Sequence, residues 1–191
     1  MTEFDLGSAL LVLARSAIAE QLDLGPLDAL SHARLEQPAA TFVTLMQDGG
    51  LRGCVGSLHP IRPLREDVRR NAIGAAFRDP RFPPLTVREF GRTLLEVSLL
   101  SEDVRIEFSS EVDLLAQLRP GLDGVILEYG RHRATLLPQV WEHVHDPREF
   151  LAALKHKARL PEDFWSPDML VSRYAVTTWK EPEPALVAEA H

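Results

Sequence analysis

The sequence predicts an α+β fold, an antiparallel β-sheet flanked by helices. Apolar residues recur at helical spacing near the N-terminus and again after Pro63. Between and beyond them run short β-prone stretches joined by tight-turn signals, Gln47-Asp48-Gly49-Gly50 and Gly130. At 191 residues, 45% apolar and 26% charged, the chain can bury a sizeable core.

Taken in order, Leu6, Leu10, Leu13 and Ala17, widened by Leu11, Ile18 and Leu22, predict an amphipathic helix ending near Gly25-Pro26. Thr41 to Met46 is a β-prone run, and the Asp-Gly turn leads into a partner strand, Leu51 to Val55. Pro63 can open a helix at no cost in hydrogen bonds, with Leu64, Val68, Ala72 and Ala75 buried, until Asp79-Pro80 stops it. Leu94 to Leu100 and Val104 to Phe108 read as strands, and Glu111 to Leu118 as a short helix capped by Ser110.

Gly124 to Tyr129 and Arg133 to Leu137 form a second hairpin around Gly130. Asp146-Pro147-Arg148-Glu149 starts a helix carrying Phe150, Leu151, Leu154 and Ala158 inward. Tyr174 to Trp179 reads as the last strand. No repeat or low-complexity linker interrupts the chain, so residues 1–180 are expected to form one domain and residues 181–191, with little to bury, a loose tail.

Charge and cysteine content narrow the function. No segment has the roughly 18 consecutive apolar residues a membrane span needs, and Met1 to Leu13 carries Glu3 and Asp5 instead of a basic signal-peptide start. The cytoplasm is the expected compartment, and membrane association is not expected. A lone cysteine, Cys54, excludes an internal disulfide framework and any multi-thiolate zinc site within the chain. The net charge of −7 argues against nucleic-acid binding through a basic surface. Yet Arg52, Arg62, Arg65, Arg69, Arg70, Arg78 and Arg81 face only Glu66, Asp67 and Asp79 in their stretch, a local +4 that leaves −11 elsewhere.

The chemically specialised stretch is Leu51-Arg52-Gly53-Cys54-Val55-Gly56. In a regular strand Arg52 and Cys54 share a face, and Gly53 and Gly56 leave the backbone bare for close approach. A guanidinium favours a neighbouring thiolate, so Cys54 is a candidate nucleophile or redox group with Arg52 as its partner. The bland reading, a small semi-buried cysteine beside a solvated arginine, stays open.

Here the sequence resembles the AMMECR-one family, whose bacterial and archaeal members are called AmmeMemoRadiSam system protein A. The hallmark is Leu-Arg-Gly-Cys-Ile-Gly, matched with Val55 in place of Ile. Further shared blocks are Ala75 to Leu85, Leu136-Leu137-Pro138-Gln139-Val140, and Phe150 to Leu160 with its Lys157-Ala158-Arg159-Leu160 end; together they cover roughly residues 8 to 180. The resemblance implies an α+β fold with a smaller appended subdomain, the two bounding a cleft. It also implies a domain of unsettled biochemical activity, associated in prokaryotes with Memo-like and radical SAM proteins. Arg159 departs from the family's glycine, and His143 to Asp146 falls outside its pattern.

Other constellations are weaker. His143 and His145, two apart, would converge on a metal from a strand but diverge on a helix, so no metal is expected. His59 could serve Cys54 as a base, or could pack the turn before Pro60. Asp79 to Pro84, with three prolines in six residues, is a stiff turn that ends one helix and, on the family pattern, braces or lines the cleft beside the motif. No nucleophile-elbow, phosphate-loop or dinucleotide motif is present, and no cofactor is expected.

Two functional readings follow. One is a small enzyme or enzyme subunit using Cys54, with Arg52 orienting an anionic group that Gly53 and Gly56 admit. The other is a non-catalytic adaptor using the same stretch as a recognition surface, with the Memo-like and radical SAM partners the resemblance implies. In either, a small anionic ligand is expected near Arg52 and the start of the Pro63 helix, with Gly53, Gly56, His59, Arg65 and Arg81 as candidate binding residues.

Overall fold

The computed structural model describes residues 5–25, 27 and 30–182. They divide into two compact units, one made of the residues up to Leu99 together with those from Thr177, the other Leu100–Val176. The second unit is thus inserted into the first. Each is α+β, as expected, with its own antiparallel sheet. Among the described residues no helix is long and apolar enough to cross a membrane.

In the first unit, helix α1 spans Leu6–Gln21, with Asp5 as N-cap accepting the Ser8 N–H at 3.2 Å. Its buried face is Leu10, Ala14, Ala17 and Ile18, while Leu6 and Leu13 only edge the core. Strands β1 (Thr41–Gln47) and β2 (Gly50–Gly56) form the expected hairpin. Its turn residues Asp48 (φ 51°) and Gly49 (φ 78°) are both left-handed, the pattern of a type I′ turn. Helix α2 (Leu64–Phe77) follows Pro63 and buries Leu64, Val68, Ala72 and Ala75 as the spacing predicted. A one-turn helix α3 (Val87–Phe90) precedes β3 (Thr93–Leu100).

The second unit holds β4 (Val104–Ile106), α4 (Glu111–Gln117), β5 (Gly124–Tyr129), β6 (His132–Leu136), α5 (Pro147–Lys157) and β7 (Leu170–Tyr174). Ser110 caps α4 through the Asp113 N–H, and Asp146 caps α5 through the Arg148 N–H. Its sheet order is β4-β7-β5-β6. Phe150, Leu154, Val125, Leu127 and Val171 form its core, where Trp141 stacks on Phe150 at 3.8 Å between ring centroids. Helix α5 ends in a Schellman turn: Leu160 N–H reaches Lys155 O and Arg159 N–H reaches His156 O, both at 2.9 Å. Arg159 sits at φ 60° there, the left-handed conformation that favours glycine.

Three expectations need correction. The strand expected at Val104 to Phe108 stops at Ile106. The single last strand is two: β7 ends at Tyr174, and after Ala175 strand β8 (Val176–Lys180) joins the first unit's sheet, whose order is β2-β1-β3-β8. There the Trp179 ring lies where a Cβ on Gly7 would be, 2.1 Å from its Cδ1, so α1 and β8 meet through that glycine. Glu181, assigned to the loose tail, is anchored: it pairs with Arg15 and accepts the Leu95 N–H at 2.9 Å. Residues 183–191 of that tail lie outside the described residues.

Candidate functional site

Strand β2 carries the motif and is the outer strand of its sheet. Pairing with β1 slips at its start, Leu45 facing Gly53 and Met46 facing Leu51, so Arg52 is the extra residue of a β-bulge. The bulge breaks the alternation on which the expected pairing of Arg52 with Cys54 depended.

Arg52 turns inward. At 7% exposure it donates through Nε to Glu89 Oε1 (3.1 Å) and through Nη2 to the Pro83 carbonyl (2.9 Å), and its guanidinium lies 5.8 Å from the Phe82 ring centroid. Its Nη1 is buried without a hydrogen-bond partner among the described residues. Arg52 holds the Glu89 carboxyl down at about 2, with help from the Thr86 N–H and hydroxyl. Thr86 and Glu89 form a capping box on α3, so that short helix is itself a holder for Arg52.

Cys54 is half-buried, and its Sγ accepts from Thr44 Oγ1 at 3.4 Å across the strand pair. Its backbone N–H points away from β1 and donates to Asp79 Oδ2 at 2.9 Å. Arg81 chelates the same carboxylate, Nη2 to Oδ2 at 2.7 Å and Nε to Oδ1 at 2.9 Å, and Nη2 also reaches the Cys54 carbonyl at 3.4 Å. Arg81 first, then the N–H groups of Cys54 and Arg81, hold the Asp79 carboxyl far below the usual carboxylate range. Asp79 in turn raises Arg81. The cation beside Cys54 is therefore Arg81, whose ring neighbour is also Phe82 at 5.5 Å.

The two motif glycines serve packing. A Cβ on Gly53 would lie 2.2 Å from the Ala75 carbonyl oxygen, so β2 rests on the α2 backbone; on Gly56 it would lie 2.2 Å from Phe42 Cδ1. Past the strand, fully buried Asp67 ties the segment down. It accepts from Thr41 N–H (2.9 Å), Thr41 Oγ1 (2.8 Å), Ser57 Oγ (2.7 Å), Arg62 Nη1 (2.8 Å) and Asn71 Nδ2 (3.0 Å).

Of the other candidates, His59 is exposed in the loop after β2, its carbonyl accepting the Ile61 N–H at 2.9 Å. Arg65 is half exposed on α2 and pairs with Glu36. Arg69 pairs with Glu20. At the start of α2 the Leu64 N–H donates to Gln37 O, and the first turn already holds Glu66 and Asp67. Five of the arginines of this stretch, Arg52, Arg62, Arg65, Arg69 and Arg81, are thus each paired with a carboxylate of the chain. Among the described residues no group of three or more His, Cys, Asp and Glu side chains could hold a metal ion.

Sequence reasoning missed Asp67 and Glu89, and assigned Asp79 only to a bracing turn. Thr86-Val87-Arg88-Glu89 was a readable signal, since it spells a capping box.

The AMMECR1 family model matches residues 11–179, nearly the whole described chain. The chain belongs to the AMMECR1 family. It is 42% identical over 139 residues to the protein MJ0810 of Methanocaldococcus jannaschii, covering 72% of this chain and 69% of that one. A protein of Methanothermobacter thermautotrophicus is 39% identical over 183 residues, 93% of this chain and 95% of the other. Among solved structures, PH0010 from Pyrococcus horikoshii superposes with a TM-score of 0.80 at 36% identity, over 93% of this chain and 92% of its own. The bulged strand with its Leu-Arg-Gly-Cys-Val-Gly run is thus set in an AMMECR1 domain. The resemblance drawn from the sequence blocks is borne out.

Proposed function

We propose that this AMMECR1 domain is a binding module whose recognition surface is the solvent-facing patch formed by Cys54, Thr44 and Arg81. One observation carries the reading. The thiol accepts a hydrogen bond from the Thr44 hydroxyl at 3.4 Å, the contact of a thiol held in place on a surface, whereas a nucleophile is set against a base. Beside this patch Arg52 is held by Glu89, and Asp79 positions Arg81. The partners that fit this role are the Memo-like and radical SAM proteins implied by the family resemblance, and Arg81, its side chain 54% exposed, supplies the charge they would read.

Isothermal titration with such a partner protein tests this. Cys54→Ser is expected to leave the affinity unchanged, and Arg81→Glu to weaken it at least about tenfold, which is 1.4 kcal/mol. Loss of binding in both variants would make the thiol indispensable. Unchanged binding in both would remove the patch from the interface.

A second reading has one observation in its favour. The Cys54 thiol is partly accessible, and the Arg81 guanidinium reaches the Cys54 carbonyl at 3.4 Å. In that reading Cys54 is a reactive thiol with Arg81 as its cation. It predicts alkylation in the native protein without denaturant, slowed in Arg81→Ala.

A further inference from the structure

An outer strand presents N–H and C=O groups that another chain can pair with, and proteins usually blunt such edges with lysine, proline, charge or a bulge. β2 reads Gly-Leu-Arg-Gly-Cys-Val-Gly and has neither lysine nor proline. Its one charged side chain, Arg52, is buried on Glu89. The bulge at Arg52 spoils pairing at the Leu51 end. That leaves Cys54 to Gly56, an uncharged stretch with outward-facing backbone at Cys54 and, by alternation, at Gly56.

At this point the chain supplies a carboxylate and a guanidinium in place of a strand. Asp79 accepts the Cys54 N–H as a neighbouring carbonyl would, and Arg81 donates to the Cys54 C=O as a neighbouring N–H would. We propose that Asp79 and Arg81 are a side-chain guard that closes this edge, and that the partner they hold off is β2 of a second copy of this chain. Antiparallel pairing about Val55 sets Cys54 of each copy against Gly56 of the other and keeps the bulged Arg52 out of the new ladder. It opposes no like charges, because Arg52 is already neutralised by Glu89. The Asp79–Arg81 ion pair keeps both guard groups in position: Asp79, itself buried, is held by two bonds from the Arg81 side chain.

Sedimentation velocity across a wide concentration range, combined with backbone amide hydrogen exchange, tests the guard. The double variant Asp79→Ala/Arg81→Ala is expected to dimerise at least about tenfold more tightly than the parent, with concentration-dependent protection appearing at the Cys54 and Gly56 amides. Arg81→Ala alone frees only the Cys54 carbonyl and is expected to give a smaller gain, with new protection confined to the Gly56 amide, which takes that carbonyl in the other copy. Its side chain is half exposed, so this variant decides the matter if the double variant does not fold. Association no tighter than the parent's in the folded variants, or tighter association without new protection at Gly56, would overturn the proposal.

Discussion

Asp79 Oδ2 accepts the backbone N–H of Cys54 at 2.9 Å, joining the stiff Pro-rich turn to the motif strand across 25 residues of sequence. Replacing Asp79 with alanine strands that N–H, at a cost of about 1–3 kcal/mol; Asp79→Asn keeps an acceptor and costs less. The Asp79 carboxyl is depressed in the folded chain, so its contribution is full above the unfolded value of about 3.9 and is lost as pH falls toward the lower folded value. Urea midpoints at neutral pH and near pH 3 check this: the gap between wild type and Asp79→Asn should shrink in acid.

Glu89 gives a second acid-sensitive contribution. Its carboxyl drops from 4.5 to about 2, chiefly through Arg52. A depressed carboxylate stabilises above its unfolded value and loses that effect as pH falls through the folded one. The window therefore runs from about pH 4.5 down to about pH 2. Glu89→Gln should have lower stability at neutral pH and a flatter decline through that window, as measured by thermal unfolding at stepped pH.

The motif glycines should respond unequally to alanine. At Gly53 the new methyl meets the backbone oxygen of Ala75, which can move only if α2 moves; at Gly56 it meets the Phe42 ring, which can swing aside. Gly53→Ala is expected to cost about 1–3 kcal/mol and Gly56→Ala less. Calorimetric melting of the two variants decides it. Equal, small losses would mean the strand does not rest on α2 as described.

Arg159 carries a backbone conformation with a physical consequence. It holds a left-handed backbone at the end of α5, a conformation costing an L-residue roughly 1–2 kcal/mol. Arg159→Gly should therefore stabilise the protein by about 1 kcal/mol, less the entropy glycine loses on folding. A rise in melting temperature measures it, with Arg159→Ala as the control that keeps the strain.

The sequence made the local architecture legible where one periodicity or cap sufficed. Leu64, Val68, Ala72 and Ala75 marked the face of α2, Asp48-Gly49 the first hairpin, and Asp146-Pro147 the start of α5. It failed where two elements abut without punctuation. Tyr174 to Trp179 is β-prone throughout, and the break at Ala175 exists because its two sides pair in different sheets. The site was legible as a segment, Leu51 to Gly56, but its wiring was not. A bulge at Arg52 comes from pairing with β1, and the bonds from Arg52 to Glu89 and from Cys54 to Asp79 bridge 37 and 25 residues, beyond the reach of any local pattern.

The insertion of Leu100–Val176 between β3 and β8 also sets an order of events during synthesis. A ribosome releases the second unit as one unbroken stretch, whereas the first is still missing β8 and the Glu181 anchor for Arg15 when that stretch is finished. The N-terminal half must therefore wait, with β3 lacking its outer neighbour, while the later-made unit has its whole sequence in hand. In this chain the part translated first is the part that can be completed only last.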